Sequence, residues 1–308
     1  MKKSNLVKQQ VQEDKVVVFP HVAEGTSAKR QAPAREGAIA SIQRHFNNFW
    51  RYRYLLENLV MRDFKLRYRR SVLGVAWSVL NPLLMCLVYW VVFCSLLPGM
   101  RGDGIENFAV FLLCGQLLFG FFGESTNNSM NSMLGAAPLL KKVYIPKYIF
   151  PLEKCCFGMV NTFFSFIALL LVMLFTGNAI RWTVVLAIYP LITLFFFTLG
   201  VSLALAAFTV FFRDVMHMWT VFTTALMYFS AIFYDPTQMS ALFGGFSLQT
   251  LILFNPIYWY ITAFRTTVMS GEVLTFSMVW VCGLCAVISM VVGSVIFNKT
   301  QDKFVLHI

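Results

Sequence analysis

The sequence predicts an all-α integral membrane protein with six transmembrane helices. The chain has 308 residues, of which 58% are hydrophobic and only 13% charged, whereas soluble domains carry about 25% charged residues. Its mean hydropathy is +0.68. Long uncharged intervals recur along the chain, and a helix of about 20 apolar residues crosses a bilayer. A soluble fold of this length could not bury so much apolar surface.

Residues 1–45 are polar and of mixed charge, which predicts a flexible cytoplasmic tail. Of the 25 Lys and Arg, 15 lie in residues 1–70, together with six acidic residues. No nucleic-acid-binding motif accompanies this basic section, so the pattern favours a membrane surface over nucleic acid as the partner.

Residues 46–70 predict an amphipathic helix. An apolar stripe recurs every four residues, and basic residues lie on the opposite face. The stripe is Leu56, Val60, Phe64 and Tyr68, and the basic face holds Arg62, Lys65 and Arg69. This pattern is typical of a helix lying in the membrane interface. A helix packed on a soluble partner is the alternative.

Residues 71–308 form the predicted transmembrane domain. Six of the uncharged intervals are the predicted spans or contain them, and the interval 236–264 is different. Pro236, Gly244-Gly245 and Asn255-Pro256 cut it into pieces too short to cross, which predicts re-entrant gate helices between spans five and six. The seven intervals are 71–100, 107–123, 155–180, 182–212, 215–234, 236–264 and 273–298.

Charge counting agrees with six spans but hardly separates them from seven, which would leave 21 Lys and Arg in the cytoplasm and four outside, so the chain breakers decide the number. With six spans and a cytoplasmic N-terminus, 22 Lys and Arg face the cytoplasm, as the positive-inside rule requires. Both termini are then cytoplasmic. The three remaining basic residues, Arg101, Arg181 and Arg265, are expected outside. Acidic residues such as Glu124 and Glu153 fall near span ends, where solvated side chains are expected.

No catalytic, metal or nucleotide site is predicted. The four His are scattered, the seven Cys lie in or beside apolar runs, and the P-loop pattern is missing. No ionisable residue falls in the middle of a predicted span, which disfavours coupling to an ion gradient. The chain is therefore expected not to be an enzyme and to carry no cofactor. If ATP drives it, another chain must bind the nucleotide.

Three stretches resemble the permease subunits of ABC transporters in the polysaccharide and polyol-phosphate export class. They are "RDFKLRYRRSVLGVAWSVLNPLL", then "FFRDV" followed by "FSAIFYDP", and finally "FNPIYWYITAFRTTV". Their order and spacing match over most of residues 50–308. Members of this class export lipid-linked O-antigen, teichoic acid and capsule polymers.

The resemblance implies an architecture and a set of partners. Permeases of this class have an N-terminal interface helix, six spans and re-entrant gate helices. Two copies form a homodimer and pair with two cytoplasmic ATPase subunits, which bind ATP and Mg. The lipid-linked glycopolymer passes between the two copies. The expected localisation is the cytoplasmic (inner) membrane, and membrane lipids are further partners.

The resemblance also gives the connection between spans two and three a role, since it docks on the ATPase as a coupling helix. Pro138 suits the first turn of such a helix and Pro146 would stop it. Apolar residues between lysines favour a partner groove, although packing on the permease itself is the alternative. The coupling residues are Leu139, Leu140, Lys141, Lys142, Val143, Tyr144 and Ile145.

Two further groups are candidates for substrate contact. The first group, called the basic run, comprises Arg62, Lys65, Arg67, Arg69 and Arg70. It either only orients the chain in the membrane or also binds the phosphate of the substrate. Aromatic residues could stack on sugars, or they could pack on lipid and helices. On span one they are Trp77, Tyr89, Trp90 and Phe93, and on span five, sharing one predicted helical face, Trp219, Phe222, Phe229 and Phe233.

The predicted function is export of a lipid-linked polysaccharide or teichoic-acid-type polymer with a partner ATPase. Two alternatives stay open. One is a permease of the same architecture for a small hydrophobic substrate or drug. The other is a membrane enzyme of glycopolymer synthesis, which should show paired acids or His near a membrane face.

Overall fold

The computed structural model describes residues 38–69, 71–93, 107–141, 145–236, 242–243 and 246–304. The chain divides into one unit of residues 1–52 and a second of residues 53–308. All contacts reported below lie within the second unit. Arg70, Lys142, Val143, Tyr144 and the Gly244-Gly245 pair lie outside the described residues.

The fold is helical, as predicted. Its ten helices in the described residues are α1 (Ala38–Tyr68), α2 (Trp77–Val91), α3 (Phe108–Gly135), α4 (Ala137–Leu140), α5 (Ile149–Phe175), α6 (Ile188–Phe211), α7 (Val215–Tyr228), α8 (Leu248–Leu253), α9 (Pro256–Arg265) and α10 (Phe276–Thr300). Two short strands, β1 (Leu242–Phe243) and β2 (Phe246–Ser247), pair antiparallel. Short 3₁₀ turns at Gly74–Ala76 and Trp182–Ala187 lead into α2 and α6.

Five segments among the described residues are long and apolar enough to cross a membrane. This supports a membrane protein. They cover the first four predicted spans and the last: Gly74–Val91, Phe108–Gly135, Ile149–Phe175, Trp182–Phe211 and Phe276–Lys303. The predicted fifth span is represented by α7, which has 14 residues and measures about 21 Å at 1.5 Å per residue.

Helix α3 is the centre of the core. It packs against α2, α5, α6 and α9, and buried apolar side chains line much of its length. Helix α3 does not stop at the end of its uncharged interval but continues to Gly135. The predicted connection between spans two and three is thus partly helical, and the segment between the long helices α3 and α5 comprises residues 136–148.

Helices α6 and α10 make the closest helix contact described. A Cβ on Gly293 would overlap the backbone of Gly200, and a Cβ on Gly200 would overlap the backbone of Ser289. Two side chains tie the pair further: Ser289 Oγ donates to the Phe197 carbonyl at 2.8 Å, and the Tyr189 hydroxyl donates to the Val279 carbonyl at 2.7 Å. Small residues and interhelical hydrogen bonds are the usual means of association in lipid.

The broken region between α7 and α10 follows local chain chemistry. Asn255 caps α9 by accepting a hydrogen bond from the Ile257 amide at 3.0 Å, and Pro256 occupies the first turn, where its missing N–H costs nothing. The predicted break at Asn255-Pro256 is therefore present. A π-helical turn, Thr266–Ser270, and a left-handed Gly271 separate α9 from α10.

Candidate functional site

The basic run lies on the last turns of α1. Lys65 and Arg69 are exposed. Arg62 donates to the neighbouring Asp63 carboxylate at 2.9 Å. Arg67 forms an ion pair with Glu124 of α3, and its guanidinium lies 5.4 Å from the Phe157 ring centre. All four described cations of the run are exposed, and two of them, Arg62 and Arg67, form ion pairs.

The apolar stripe of α1 faces the helices of the transmembrane domain. Phe64 stacks on Phe164 of α5 with ring centres 5.9 Å apart, and Leu59 is buried. An ion pair between Asp63 and Lys154 joins α1 to the start of α5. Burial raises the pKa of the Asp63 carboxyl, but hydrogen bonds from Lys154 and Arg62 outweigh it and leave that pKa below its usual range.

A polar network extends from Arg67 into the space between helices. Glu124 accepts from Arg67 and, through its other oxygen, from the Asn161 amide of α5 at 3.0 Å. The Tyr68 hydroxyl contacts Ser78 of α2 and donates to Asn161 Oδ1 at 3.5 Å. Four helices thus meet through polar side chains. The sequence did carry a signal for Asn161, a polar residue inside an uncharged interval.

Glu153 corrects one expectation. It was expected to be solvated, yet its side chain is only 2% exposed and accepts from Lys154 at 3.1 Å. The neighbouring lysine explains how a carboxylate can lie in this place, since buried charges in proteins are paired. The sequence alone gave no sign that α1 would cover this end of α5.

The aromatic candidates fall into two clusters. Phe233 is buried and packs with Phe93 in a stacked arrangement and with Tyr89 edge-on, both with ring centres 5.2 Å apart. Trp219 contacts Phe122 and Phe222 and donates from its indole to Thr126 at 3.1 Å. The remaining candidates, Trp77, Trp90 and Phe229, are exposed.

The shared face predicted on span five is wrong in part. Helix α7 ends at Tyr228, and Ala231 adopts a left-handed backbone conformation with φ +49°. This turn carries Phe233 away from the helical register of Trp219 and Phe222. Helical periodicity alone cannot foresee such a turn, because Ala231 is not a residue that usually takes this conformation.

Sequence reasoning did not identify Arg265 as a candidate site residue. It was counted only as one of the charges on the outer side of the membrane, and the structure shows its side chain 9% exposed. Its guanidinium donates to three carbonyls: that of Ala231 at 2.9 Å, that of Ile232 at 3.0 Å and that of Phe111 at 3.0 Å. It holds the end of the α7 turn against α3 and α9. Its position inside an otherwise uncharged stretch was the available signal.

The coupling segment is described in part. Pro138 lies in the first turn of α4, as predicted, and Leu139 is exposed. Ile145 is buried. Just beyond, Lys147 donates to the Gln301 carbonyl, and its ammonium lies 5.6 Å from the Phe304 ring centre. The segment between the long helices α3 and α5 therefore contacts the end of the last helix.

Comparison with known proteins decides the family. The ABC-2 type transporter family matches residues 54–269, which is most of the chain and includes Arg67, Glu124 and Arg265. The chain belongs to the ABC-2 type transporter family. This confirms the family resemblance that the three stretches indicate.

Named relatives of this ABC-2 type chain cover it almost throughout. An O-antigen export system permease protein RfbA from Klebsiella pneumoniae is 30% identical over 82% of the chain and 95% of the relative. The RfbA protein of Myxococcus xanthus is 28% identical over 83% and 95%. The capsule polysaccharide export inner-membrane protein CtrC of Neisseria meningitidis serogroup B is 22% identical over 83% and 96%.

Proposed function

We propose that this ABC-2 type chain is the transmembrane subunit of an ATP-driven exporter that moves a lipid-linked polysaccharide or teichoic-acid-type polymer across the cytoplasmic membrane. The observation that carries the proposal is the match to relatives named O-antigen export permease and capsule export protein over 82–83% of the chain. The family assignment supports the permease role, and ATP is assigned to a partner subunit.

The proposed topology has six crossings with both termini in the cytoplasm. Five segments meet the length and hydropathy of a span, and α7 supplies the sixth together with the turn that Arg265 holds. Helices α8 and α9 have six and ten residues, too few to cross a hydrocarbon core of about 30 Å. Their shortness supports re-entrant gate helices that return to the outer side.

The proposed assembly is two copies of this chain with two ATPase subunits. The glycopolymer passes between the copies, where exposed aromatic side chains such as Trp90 and Phe222 offer faces for sugar rings. Lys65 and Arg69 are exposed on α1, which supports a contact with an anionic lipid carrier. The exposed Leu139 of α4 supports an ATPase contact.

The deciding experiment is deletion of the gene followed by chemical analysis of the surface glycan. We expect one polymer to disappear from the surface while its lipid-linked form accumulates inside the cell, and the intact gene to restore it. A surface glycan unchanged in amount and composition after deletion would rule out the proposal. Accumulation of no internal precursor would point to synthesis rather than export.

A further inference from the structure

A polar cavity of about 280 Å³ lies between α1, α2, α3 and α5. Its wall includes Arg67, Trp77, Gln116, Glu124, Asn161 and Ser165. Ligand pockets in proteins measure about 300 to 1,000 Å³, so this one suits a single small group rather than a polymer in transit. Trp77 on this wall is 41% exposed.

The charges on this wall cancel. Among the residues described there, Arg67 and Glu124 are the charged ones, and they form an ion pair with each other. Asn161 donates to the same carboxylate at 3.0 Å. Arg67 donates through Nη1 to Glu124, so the adjacent carboxylate offsets the positive charge that a phosphate or other anion would need. The cavity therefore favours a neutral ligand.

Hydrogen-bond acceptors on the wall set one requirement for the ligand. The Oε1 atom of Gln116 is buried and has no hydrogen-bond partner within the described part of the chain. The hydroxyls of Thr162 and Ser165 donate to the carbonyls of Gly158 and Asn161, which leaves only their lone pairs for a ligand. A buried acceptor without a donor is costly. A ligand that brings several O–H donors would satisfy it.

Trp77 adds a second requirement, an apolar face. Trp77 forms part of the cavity wall beside the polar side chains. A sugar ring combines both properties, because its hydroxyls donate hydrogen bonds at the rim and its C–H groups stack on an aromatic face. Water would satisfy Gln116 but would gain nothing from the indole ring.

We propose that this cavity binds one neutral sugar residue of the transported glycolipid, with Trp77 as the stacking face and Gln116 as a hydrogen-bond acceptor. The site lies between helices of one copy of the chain. The inference rests on the proposed function for the identity of its ligand. The binding chemistry itself follows from the described side chains.

The test uses thiol protection in the full-length chain. Ser165→Cys is introduced after the native cysteines are replaced, and the protein is reconstituted in lipid nanodiscs. The reaction rate with a small water-soluble thiol reagent is measured with octyl β-glucoside or octyl phosphate, each below its micellar concentration. We expect the glucoside to slow labelling by about threefold or more, and octyl phosphate to have no effect. If Ser165→Cys does not fold, Asn81→Cys replaces it, because Asn81 also lies on the cavity wall.

Matched variants identify the basis of the protection. Ser277→Cys, exposed at the start of α10, controls for partition of the probes into lipid and should not be protected. Trp77→Leu should abolish protection of Ser165→Cys, whereas Trp77→Phe should retain it because a ring face remains. The inference would be overturned if octyl phosphate protects the wall thiol as well as the glucoside does, or if Ser277→Cys is protected equally. It would also be overturned if neither probe protects the wall thiol, or if that thiol never reacts.

A separate experiment tests the proposed function. The deletion experiment measures the surface glycan and does not depend on the cavity. Loss of glycan on deletion together with failed thiol protection would refute only the sugar site. An unchanged glycan on deletion would refute the export function even if octyl β-glucoside protects Ser165→Cys.

Discussion

The guanidinium carbon of Arg265 lies 3.4 Å from the centre of the Phe111 ring, and the same side chain donates to the Phe111 carbonyl. Arg265 at the end of α9 thus contacts Phe111 of α3 by both stacking and hydrogen bonding. The remaining donors close the turn after α7 through the carbonyls of Ala231 and Ile232. One buried side chain therefore joins three separate parts of the fold.

We expect both Arg265→Lys and Arg265→Met to be strongly destabilising. Lysine lacks the planar fork that serves several carbonyls and stacks on a ring, and methionine leaves the carbonyls without donors. Loss of a buried charged network costs about 3 kcal/mol or more. Thermal unfolding of the purified protein measures the effect, with the exposed Arg213→Met as control. Unfolding temperatures equal to the wild type would contradict this role.

Gly115 should be required for the same arrangement. A Cβ at this position would lie 2.9 Å from Arg265 Nη2 and 3.0 Å from Ile232 Cγ2. Gly115→Ala is therefore expected to displace the guanidinium and lower the unfolding temperature. Gly123→Ala on the same helix is the matched control, because its Cβ would meet only Phe119 at 3.9 Å. If both alanine variants behave alike, Gly115 is not part of the Arg265 arrangement.

The contact between α6 and α10 leads to a third prediction. Gly293→Ala places a methyl group against the Gly200 backbone, so the helices must separate. We expect a loss of about 1–3 kcal/mol, the usual cost of overpacking, and a lower yield of folded protein. Size-exclusion profiles after heating measure it. The adjacent Ser294→Ala is the control and should give the wild-type profile. A wild-type profile for Gly293→Ala would show that the two helices can adjust to the added methyl group.

Much of this architecture could be predicted from sequence because hydropathy and chain breakers act locally. The uncharged intervals located the five segments that are long and apolar enough to cross a membrane, and Asn255-Pro256 located a break between helices. Arg265 could not be placed in this way, since its acceptors come from α3 and from the turn after α7. The same holds for Glu124 and Asn161, which are far apart in sequence and meet only after α3 and α5 pack. Phe233 left its predicted face because Ala231 turns the chain.

Asp63 should make stability depend on pH. Its pKa lies below the usual range because hydrogen bonds from Lys154 and Arg62 outweigh the effect of burial. A depressed pKa contributes stability at neutral pH that is lost as the pH falls through the folded-state value, below about 4. We expect Asp63→Asn to lower the unfolding temperature at pH 7, and this difference to shrink in acid. The exposed Glu57→Gln on the same helix is the control. A difference independent of pH would contradict the assignment.

The segment between the long helices α3 and α5 gives the last prediction. Leu139 is exposed on α4, beside Leu140, and an apolar side chain exposed on a short helix suits a groove on a partner. We expect the double variant Leu139→Ala, Leu140→Ala to reduce the amount of co-expressed ATPase subunit that co-purifies, by about tenfold if these residues are central to the contact. Membrane abundance should not change. Leu174→Ala, exposed at the far end of α5, is the matched control. Since Lys147 links the same segment to the end of α10, a double variant that retains both the ATPase and normal export would assign this segment to packing within the permease instead.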